Sequence, residues 1–283
     1  MGKLTLVDVS YVYSPDTPFE KEALTHVNID FKEKRTTGII GHTGSGKSTV
    51  AQLLNGLLRA SSGKVLLDGK DIFENPHEIG KIRFKVGLVF QYPEYQLFEE
   101  TVFRDIAFGP ANMGLDSEEI KRRVKSAAEF VGIEEELFDK SPFELSGGQK
   151  RRVAIAGIMA MEPEIIVLDE PAAGLDPRGR DEIFNGIRKW QREKGATVIL
   201  ISHSMEDMAM YADDIVVMKN GGVLLSGSVD EVFCHPEIIE TSGLLIPQIT
   251  TMMNTLSCKG VVESQGIYTV DGAFDAIVKA MKG

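Results

Sequence analysis

A glycine-rich segment between two apolar stretches has the composition of a phosphate-binding loop. Gly41 to Ser48 reads GHTGSGKS and fits the pattern G-x-x-x-x-G-K-[ST], with Ile39-Ile40 before it and a predicted helix, Lys47 to Arg59, after it. Glycines let several backbone N–H groups approach one phosphate, and a helix that begins there adds its positive dipole end. Lys47 would contact the β- and γ-phosphates, and Ser48 would offer a hydroxyl to Mg²⁺. The segment therefore predicts a nucleoside triphosphate site.

Two carboxylates follow a predicted buried strand. Ile165 to Leu168 is apolar, and Asp169 and Glu170 come directly after it. Ligands bind beyond the carboxyl ends of parallel strands, so Asp169 there would hold Mg²⁺ and Glu170 would act as general base on the attacking water. Taken alone, the segment fits a strand that ends in solvent with charged residues equally well. The phosphate loop elsewhere in the chain favours the catalytic interpretation.

A second anion-binding pattern lies further along the chain. It consists of Leu145, Ser146, Gly147, Gly148 and Gln149, and an apolar helix follows it. A serine at the N-cap, two glycines and a helix N-terminus together suit an anion. Since the chain already has a phosphate loop, we expect this segment to complete a site on another subunit.

These motifs, in this order, resemble those of the ATP-binding cassette (ABC) ATPases over about residues 1–230. The resemblance implies that Gln91 is the Q-loop glutamine, His203 the switch histidine and Asp176 part of the D-loop, and that Tyr13 stacks on adenine, with Tyr11 as the alternative. The predicted ATP-binding residues are Tyr13, Gly41, His42, Thr43, Gly44, Ser45, Gly46, Lys47, Ser48 and Thr49. The predicted catalytic residues are Glu170, His203 and Gln91, and the predicted Mg²⁺ ligands are Ser48, Gln91 and Asp169.

Longer runs resemble one branch of that family. The runs VSYVYSPDTPFEKEAL, FQYPEYQLFEETV and SPFELSGGQKRRVAIAGIMAMEPEIIVLDEPAAGLDP resemble the ATPases of energy-coupling-factor (ECF) transporters, of the second or A-prime type. The resemblance implies pairing with a second, paralogous ATPase. It also implies a transmembrane T component and an interchangeable substrate-binding S component, which import vitamins or transition-metal ions. A membrane-partner arginine is expected to bind Glu94, with Glu99 and Glu100 as alternatives.

Two other functions remain to be weighed. A homodimeric ATPase of another ABC transporter would carry the same motifs. A soluble ABC clamp of DNA repair or translation is disfavoured, because such proteins have coiled-coil insertions or tandem cassettes, and this sequence shows neither. The transported solute is not encoded here, since its choice would lie in another polypeptide.

The elements that must position these residues alternate along the chain. Short apolar strands are predicted at 37–40, 86–90, 165–168, 198–202 and 215–218, with helices between the later ones, which indicates a largely parallel sheet covered on both faces. Strands at 4–13, 27–31 and 65–67 suit a small antiparallel sheet. The family resemblance implies an α/β fold of the P-loop NTPase class. We expect a RecA-like core, an antiparallel β-subdomain and a helical signature subdomain at about 93–163, within an ATPase domain at 1–230. A C-terminal helical extension at 231–283 is expected to help ATPase pairing.

The composition limits the possible partners. The chain has 283 residues and a formal net charge of −11, which argues against a protein that coats nucleic acid. No apolar run approaches the roughly 18 residues of a membrane span. Cys234 and Cys258 have no metal-ligand spacing and suit a reducing compartment. We expect a peripheral protein at the cytoplasmic face of the cell membrane that binds ATP and Mg²⁺.

Overall fold

The computed structural model describes residues 3–262 and 267–282. The predicted boundaries at residues 1 and 283, and residues 263–266 of the predicted extension, lie outside the described residues. The strands are Leu4–Tyr13 (β1), Lys21–Phe31 (β2), Thr36–Gly41 (β3), Ser62–Leu67 (β4), Lys70–Asp71 (β5), Val86–Val89 (β6), Ile165–Asp169 (β7), Thr197–Ile201 (β8), Asp214–Lys219 (β9) and Gly222–Ser228 (β10). The helices are Lys47–Leu54 (α1), Ile79–Lys85 (α2), Val102–Asn112 (α3), Ser117–Val131 (α4), Gly147–Met159 (α5), Pro177–Lys194 (α6), Met205–Tyr211 (α7), Val229–Phe233 (α8), Pro236–Thr241 (α9), Gln248–Cys258 (α10) and Val270–Lys282 (α11).

A six-stranded sheet forms the centre of the fold, in the order β10-β9-β3-β8-β7-β6. The five strands from β9 to β6 are parallel, and β10 pairs antiparallel with β9. Strands β6, β7 and β8 are buried along their whole length, as their continuous apolar sequence predicts for a sheet covered on both faces. Because β3, β8, β7 and β6 are neighbours, the loops that follow them meet at one edge.

A smaller antiparallel sheet has the order β2-β1-β4-β5, which confirms the predicted second sheet. Its apolar side chains, among them Leu4, Leu24 and Phe31, share a buried cluster with Val50 and Leu54 of α1 and with one face of the central sheet. This cluster fixes the small sheet beside the N-terminus of α1, and it brings the end of β1 to the loop between β3 and α1.

Helices α3, α4 and α5 pack together beyond the sheet. Helix α4 begins where the Asp116 carboxylate accepts the N–H groups of Glu118 and Glu119, and it ends at Gly132 in the left-handed conformation. Val124, Ala127 and Val131 lie on its buried face, as their spacing predicts. These helices carry the signature segment on the N-terminus of α5.

The C-terminal helices have a small core of their own around Met253, Val262 and Ala273. Tyr268 connects this core to the rest of the chain, because its ring stacks on Phe233 and its hydroxyl donates to Asp230. Within residues 3–262 and 267–282, no helix combines the length and the apolar character that a membrane span requires.

Candidate active site

A cavity of about 640 Å³ lies where the central sheet meets the small one. Apart from Ser45, all thirteen predicted nucleotide, metal and catalytic residues lie on its wall. They come from the end of β1, from the segment between the end of β3 and the first turn of α1, from the end of β7, and from the loops after β6, β7 and β8. The cavity wall includes Tyr13, Gly41, His42, Thr43, Gly44, Gly46, Lys47, Ser48, Thr49, Gln91, Asp169, Glu170 and His203. Residues that are far apart in sequence therefore share one site.

Every predicted residue of that set lies on the wall except Ser45. The Ser45 side chain is fully buried, and its backbone N–H donates to the carbonyl of His42 at 3.1 Å. Gly46 explains why the loop needs glycine at this point. It has a φ of 104°, and a Cβ added there would lie 2.5 Å from Leu24 Cδ2 and 2.9 Å from the carbonyl of Ala23. Any larger residue would push the loop off the small sheet.

Lys47 extends over the loop that precedes it. Its ammonium donates to the carbonyl oxygens of Gly41 at 2.6 Å and His42 at 3.0 Å. Burial lowers the pKa of Lys47, while the nearby carboxylates of Glu170 and Asp169 oppose that shift. The loop thus holds one cation against its own backbone, at the position where a triphosphate would need charge neutralisation.

Ser48, Asp169 and Gln91 fit the oxygen-rich ligand set that Mg²⁺ prefers. The Ser48 hydroxyl is hydrogen-bonded to the Asp169 carboxylate, and the side chain of Gln91 lines the same cavity. Burial raises the pKa of Asp169, and the bond from Ser48 partly opposes it. A bound cation would favour the ionised carboxylate, so the donor set and its charge suit this metal.

Glu170 and His203 form a hydrogen-bonded pair at the carboxyl ends of β7 and β8. His203 Nδ1 lies 2.7 Å from Glu170 Oε1, and the Ser202 hydroxyl donates to Glu170 Oε2 at 3.4 Å. Glu170 is buried, and its φ of 52° places it in the left-handed region, which is uncommon for a residue other than glycine. Its N–H donates to the carbonyl of Ile201 at 2.9 Å, which holds this conformation. The carboxylate is therefore fixed in direction, as a general base requires.

The structure distinguishes the two tyrosines proposed for adenine. Tyr13 lines the cavity, and its hydroxyl lies 3.2 Å from Thr49 Oγ1. Tyr11 instead packs against the buried cluster under the small sheet and meets the Tyr13 ring edge-on, with 4.8 Å between centroids. This placement favours Tyr13 as the stacking residue.

Replacing Tyr13 by alanine is expected to weaken ATP binding by about tenfold, because stacking on a base contributes roughly 1–3 kcal/mol. Tyr13→Phe keeps the ring and should bind ATP nearly as well as the wild type. Tyr11→Ala is the matched control, and melting temperatures show whether either substitution disturbs the sheet. Titration with a fluorescent ATP analogue measures the affinities. A loss confined to Tyr11→Ala would show that the assignment of Tyr13 is wrong.

The signature segment and the D-loop line a second cavity, of about 560 Å³. The Ser146 hydroxyl accepts the N–H of Gln149, and the Gln149 side chain accepts the N–H of Ser146, so the two close the N-terminus of α5 as a capping box. Asp176 caps α6 in a similar way, accepting the N–H of Gly179 at 2.7 Å. Ser146, Gly148, Gln149 and Asp176 lie on the cavity wall, whereas Leu145 is buried beneath the segment. Two helix N-termini therefore face this second cavity.

Glu94, the residue predicted to bind a partner's arginine, is paired within this chain. Its two carboxylate oxygens accept hydrogen bonds from Arg151, at 3.0 Å to Nε and 2.8 Å to Nη2, and the Arg151 side chain is only 3% exposed. A partner's arginine at Glu94 would have to compete with this bidentate pair, and the predicted contact stays a prediction. Glu100, one of the two alternatives to Glu94, pairs with Arg104 of the same chain. Asp105, which was not predicted, lines a groove between α3, α5 and the short turn Pro93–Gln96.

Four residues of the cavity wall were not predicted: Lys21, Ala23, Gly243 and Leu244. Lys21 lies opposite Tyr13 across the pairing of β1 with β2, so a longer predicted β2 would have found it. Gly243 and Leu244 follow α9 and pass beside the loop, where a Cβ on Gly243 would lie 3.9 Å from His42 Cβ. No local pattern in the sequence indicates that contact.

Comparison with known proteins identifies the family. The profile of the ABC transporter family matches residues 24–173. The energy-coupling factor transporter ATP-binding protein EcfA2 of Clostridium acetobutylicum is 52% identical over 280 residues, which cover 99% of this chain and 98% of that protein. The protein of the same name from Caldanaerobacter subterraneus subsp. tengcongensis is 52% identical over 276 residues, which cover 98% and 96%.

Solved structures agree with these matches. The structure of cbiO1 from Clostridium perfringens, described as part of the ABC transporter complex cbiONQ, has a TM-score of 0.76 and 42% identity, and the match covers 89% of this chain and 99% of that one. The ATP-binding cassette MJ0796 in a dimeric post-hydrolysis state with ADP and Pi has a TM-score of 0.72 and 29% identity, over 80% and 98%. These findings confirm the predicted α/β cassette fold and the predicted resemblance to ECF ATPases. The chain belongs to the ABC transporter family, as an ATPase whose full-length relatives are energy-coupling factor transporter ATP-binding proteins.

Proposed function

We propose that this chain is the ATP-hydrolysing subunit of an ECF-type importer, bound to the cytoplasmic face of the cell membrane through its partners. The observation that carries the proposal is the single cavity shared by Tyr13, the Gly41–Thr49 loop, Gln91, Asp169–Glu170 and His203. Its residues supply a base-stacking ring, a phosphate loop, oxygen ligands and a general base. Vitamins or transition-metal ions are the proposed cargo, carried by other subunits.

Within the cavity, each group has a distinct task in hydrolysis. The loop N–H groups and Lys47 hold the triphosphate, and Glu170 accepts a proton from the attacking water. His203 uses Nδ1 to hold Glu170, which leaves Nε2 for an oxygen of the γ-phosphate. Bound Mg²⁺, held by Ser48, Asp169 and Gln91, would neutralise charge on the phosphates.

A second ATPase is proposed to complete each nucleotide site. Residues 145–149 and Asp176 belong to a cavity other than the one with the phosphate loop, and a helix N-terminus there suits the γ-phosphate of a nucleotide bound to a partner. A closed pair would hold ATP at both seams, and hydrolysis would remove the phosphate that bridges them. Differential affinity of the closed pair for ATP and ADP would then drive opening. The apolar residues of α11 exposed to solvent, such as Phe274 at 66%, support a role of the extension in pairing.

The proposed membrane contact is a groove of about 370 Å³ between α3, α5 and the short turn Pro93–Gln96. Phe98 and Phe108 meet edge to face at its rim, and they are 59% and 44% exposed. Asp105 lies in the same groove, where its carboxylate accepts the N–H of Glu99 at 3.1 Å. An apolar groove with one half-buried acid suits a helix of the T component that carries a basic residue.

Co-purification from the native membrane tests this function. The tagged chain should retain a second, non-identical ATPase and a multispanning membrane protein, and the complex should hydrolyse ATP only with Mg²⁺. Phe98→Asp should reduce recovery of the membrane protein by about tenfold or more, because it places a charge in a desolvated contact. Phe19→Asp, at an aromatic residue 84% exposed on the β1–β2 turn, is the matched control. Recovery of a homodimer alone would favour another type of ABC transporter, and absence of ATP hydrolysis would refute the proposal.

A further inference from the structure

An ion pair connects α6, which begins at the D-loop, with α7, which begins next to the switch histidine. Helix α6 starts at the D-loop residue Asp176, and α7 starts at Ser204, directly after His203. Arg180, in the first turns of α6, donates from Nε to Asp207 at 2.7 Å and from Nη2 to the Ser204 hydroxyl at 2.8 Å. One guanidinium therefore joins the two helix N-termini.

The environment of the pair makes it a defined contact rather than a loose surface bridge. Asp207 is 5% exposed and the Arg180 side chain 35% exposed. The Ser204 hydroxyl also accepts the N–H of Asp207 at 3.2 Å, so Arg180 contacts both partners of the α7 cap. A buried carboxylate without a cation is strongly disfavoured, and a guanidinium with two fixed bonds restricts direction as well as distance.

From α7 the hydrogen bonds continue to the catalytic carboxylate. The N–H of Ser204 donates to Ser202 Oγ at 3.1 Å, and the Ser202 hydroxyl donates to Glu170 Oε2 at 3.4 Å. His203, between these two serines, holds the other oxygen of Glu170. A shift of the α7 N-terminus would therefore move the contacts of both oxygens of the general base.

Arg180 lies four residues after Asp176 of the D-loop, in the first turn of α6. Gly174, Leu175 and Asp176 line the second cavity together with Ser146, and Arg180 N donates to the carbonyl of Asp176 at 2.9 Å. The cavity assigned to the partner's nucleotide is thus connected through α6, Arg180 and α7 to the cavity that holds this chain's own nucleotide. Neither Arg180 nor Asp207 lines the first cavity, so neither is placed to touch ATP.

We infer that Arg180, through Asp207 and Ser204, is a positioning residue that couples the D-loop to the His203–Glu170 pair. When the partner closes on the D-loop and shifts α6, Arg180 shifts the N-terminus of α7 and with it His203. This movement aligns Glu170 with the attacking water. This inference rests on the proposed function for the identity of the second cavity. According to this inference, an ion pair that lines neither cavity contributes to the turnover number.

The test compares full-length variants in the purified complex with the second ATPase. Arg180→Ala should lower kcat by about tenfold or more, since a small displacement of a catalytic group is costly, and should change ATP affinity less than about twofold. Arg180→Lys keeps the charge but loses the fork, so it should recover part of the activity. Lys189→Ala is the matched control, because Lys189 lies on α6 like Arg180 but forms an exposed ion pair with Glu129 of α4. Melting temperatures verify that each variant is folded.

A double-mutant cycle separates coupling from a merely structural role. Asp176→Ala should lower kcat in the wild-type background but add little in the Arg180→Ala background, because both changes interrupt one connection. Asp207→Asn, which keeps the shape of the side chain, should reproduce the kcat loss of Arg180→Ala. Independent, multiplying effects of Asp176→Ala and Arg180→Ala would overturn the inference, as would wild-type kcat in Arg180→Ala. If the unaltered complex failed to hydrolyse ATP, the proposed function itself would fail, which is a distinguishable result.

Discussion

Glu170→Gln is expected to lower the rate of ATP hydrolysis by about 10²- to 10⁴-fold, the usual contribution of a positioned general base. Glutamine has nearly the same shape and can keep hydrogen bonds to Ser202 and His203, but its amide cannot accept the proton of the attacking water. Single-turnover hydrolysis in the assembled complex measures the chemical step directly.

ATP binding should survive this substitution, because Glu170 holds the water rather than the phosphates. The ATP-bound complex should therefore accumulate in the closed state, which can be followed by the retention of nucleotide and partner on gel filtration. Glu118→Gln, at an exposed carboxylate on α4, is the control for loss of one negative charge. Comparable turnover in Glu170→Gln and the wild type would show that another group takes the proton.

The central sheet could be predicted from sequence because its strands are buried on both faces. A short apolar run such as Ile165–Asp169, in a sequence with a phosphate loop and flanking helices, is typical of a buried parallel strand. The predicted strand, 165–168, differs from the observed one by a single residue. The end of α1 was not predicted, because the chain turns at Asn55, whose side chain donates to the carbonyl of Val86, and then passes through Gly56 with a φ of 70°. The predicted helix extends to Arg59, whereas the observed helix ends at Leu54.

Strand β2 shows why alternation can fail. Leu24 and Val27 both face the core although three positions separate them, since the register with β1 shifts and His26 has a φ of 50°. A bulge of this kind breaks the two-residue period, so the sequence pattern began only at Val27. The first residues of β2, including the cavity residue Lys21, were missed for that reason.

The motif residues could be predicted to share one cavity because each motif combines backbone geometry with chemistry over a few adjacent residues. Pairings between distant segments leave no such pattern. Glu94 and Arg151 are 57 positions apart, and either could equally have faced a partner. The approach of Gly243 to the phosphate loop likewise depends on how the extension folds back, which local propensity does not determine.

Lys47→Ala is expected to weaken ATP binding by about 10- to 100-fold, the equivalent of roughly 1.5–3 kcal/mol for hydrogen bonds to a charged group. Two effects contribute. The substitution removes the cation nearest the phosphates, and it removes the donor that holds the carbonyl oxygens of Gly41 and His42, so the loop loses an internal support.

A second variant separates these effects. Lys47→Gln keeps N–H donors that can reach the loop carbonyls but has no charge, so it should restore the melting temperature more than it restores ATP affinity. Lys81→Ala, at an exposed lysine paired with Glu78, controls for the general loss of a positive charge. Affinity for ADP should fall less than affinity for ATP if Lys47 contacts the γ-phosphate as well as the β-phosphate. Wild-type ATP affinity in Lys47→Gln would mean that the charge of this lysine is dispensable, and that the loop N–H groups and the metal together suffice to hold the triphosphate.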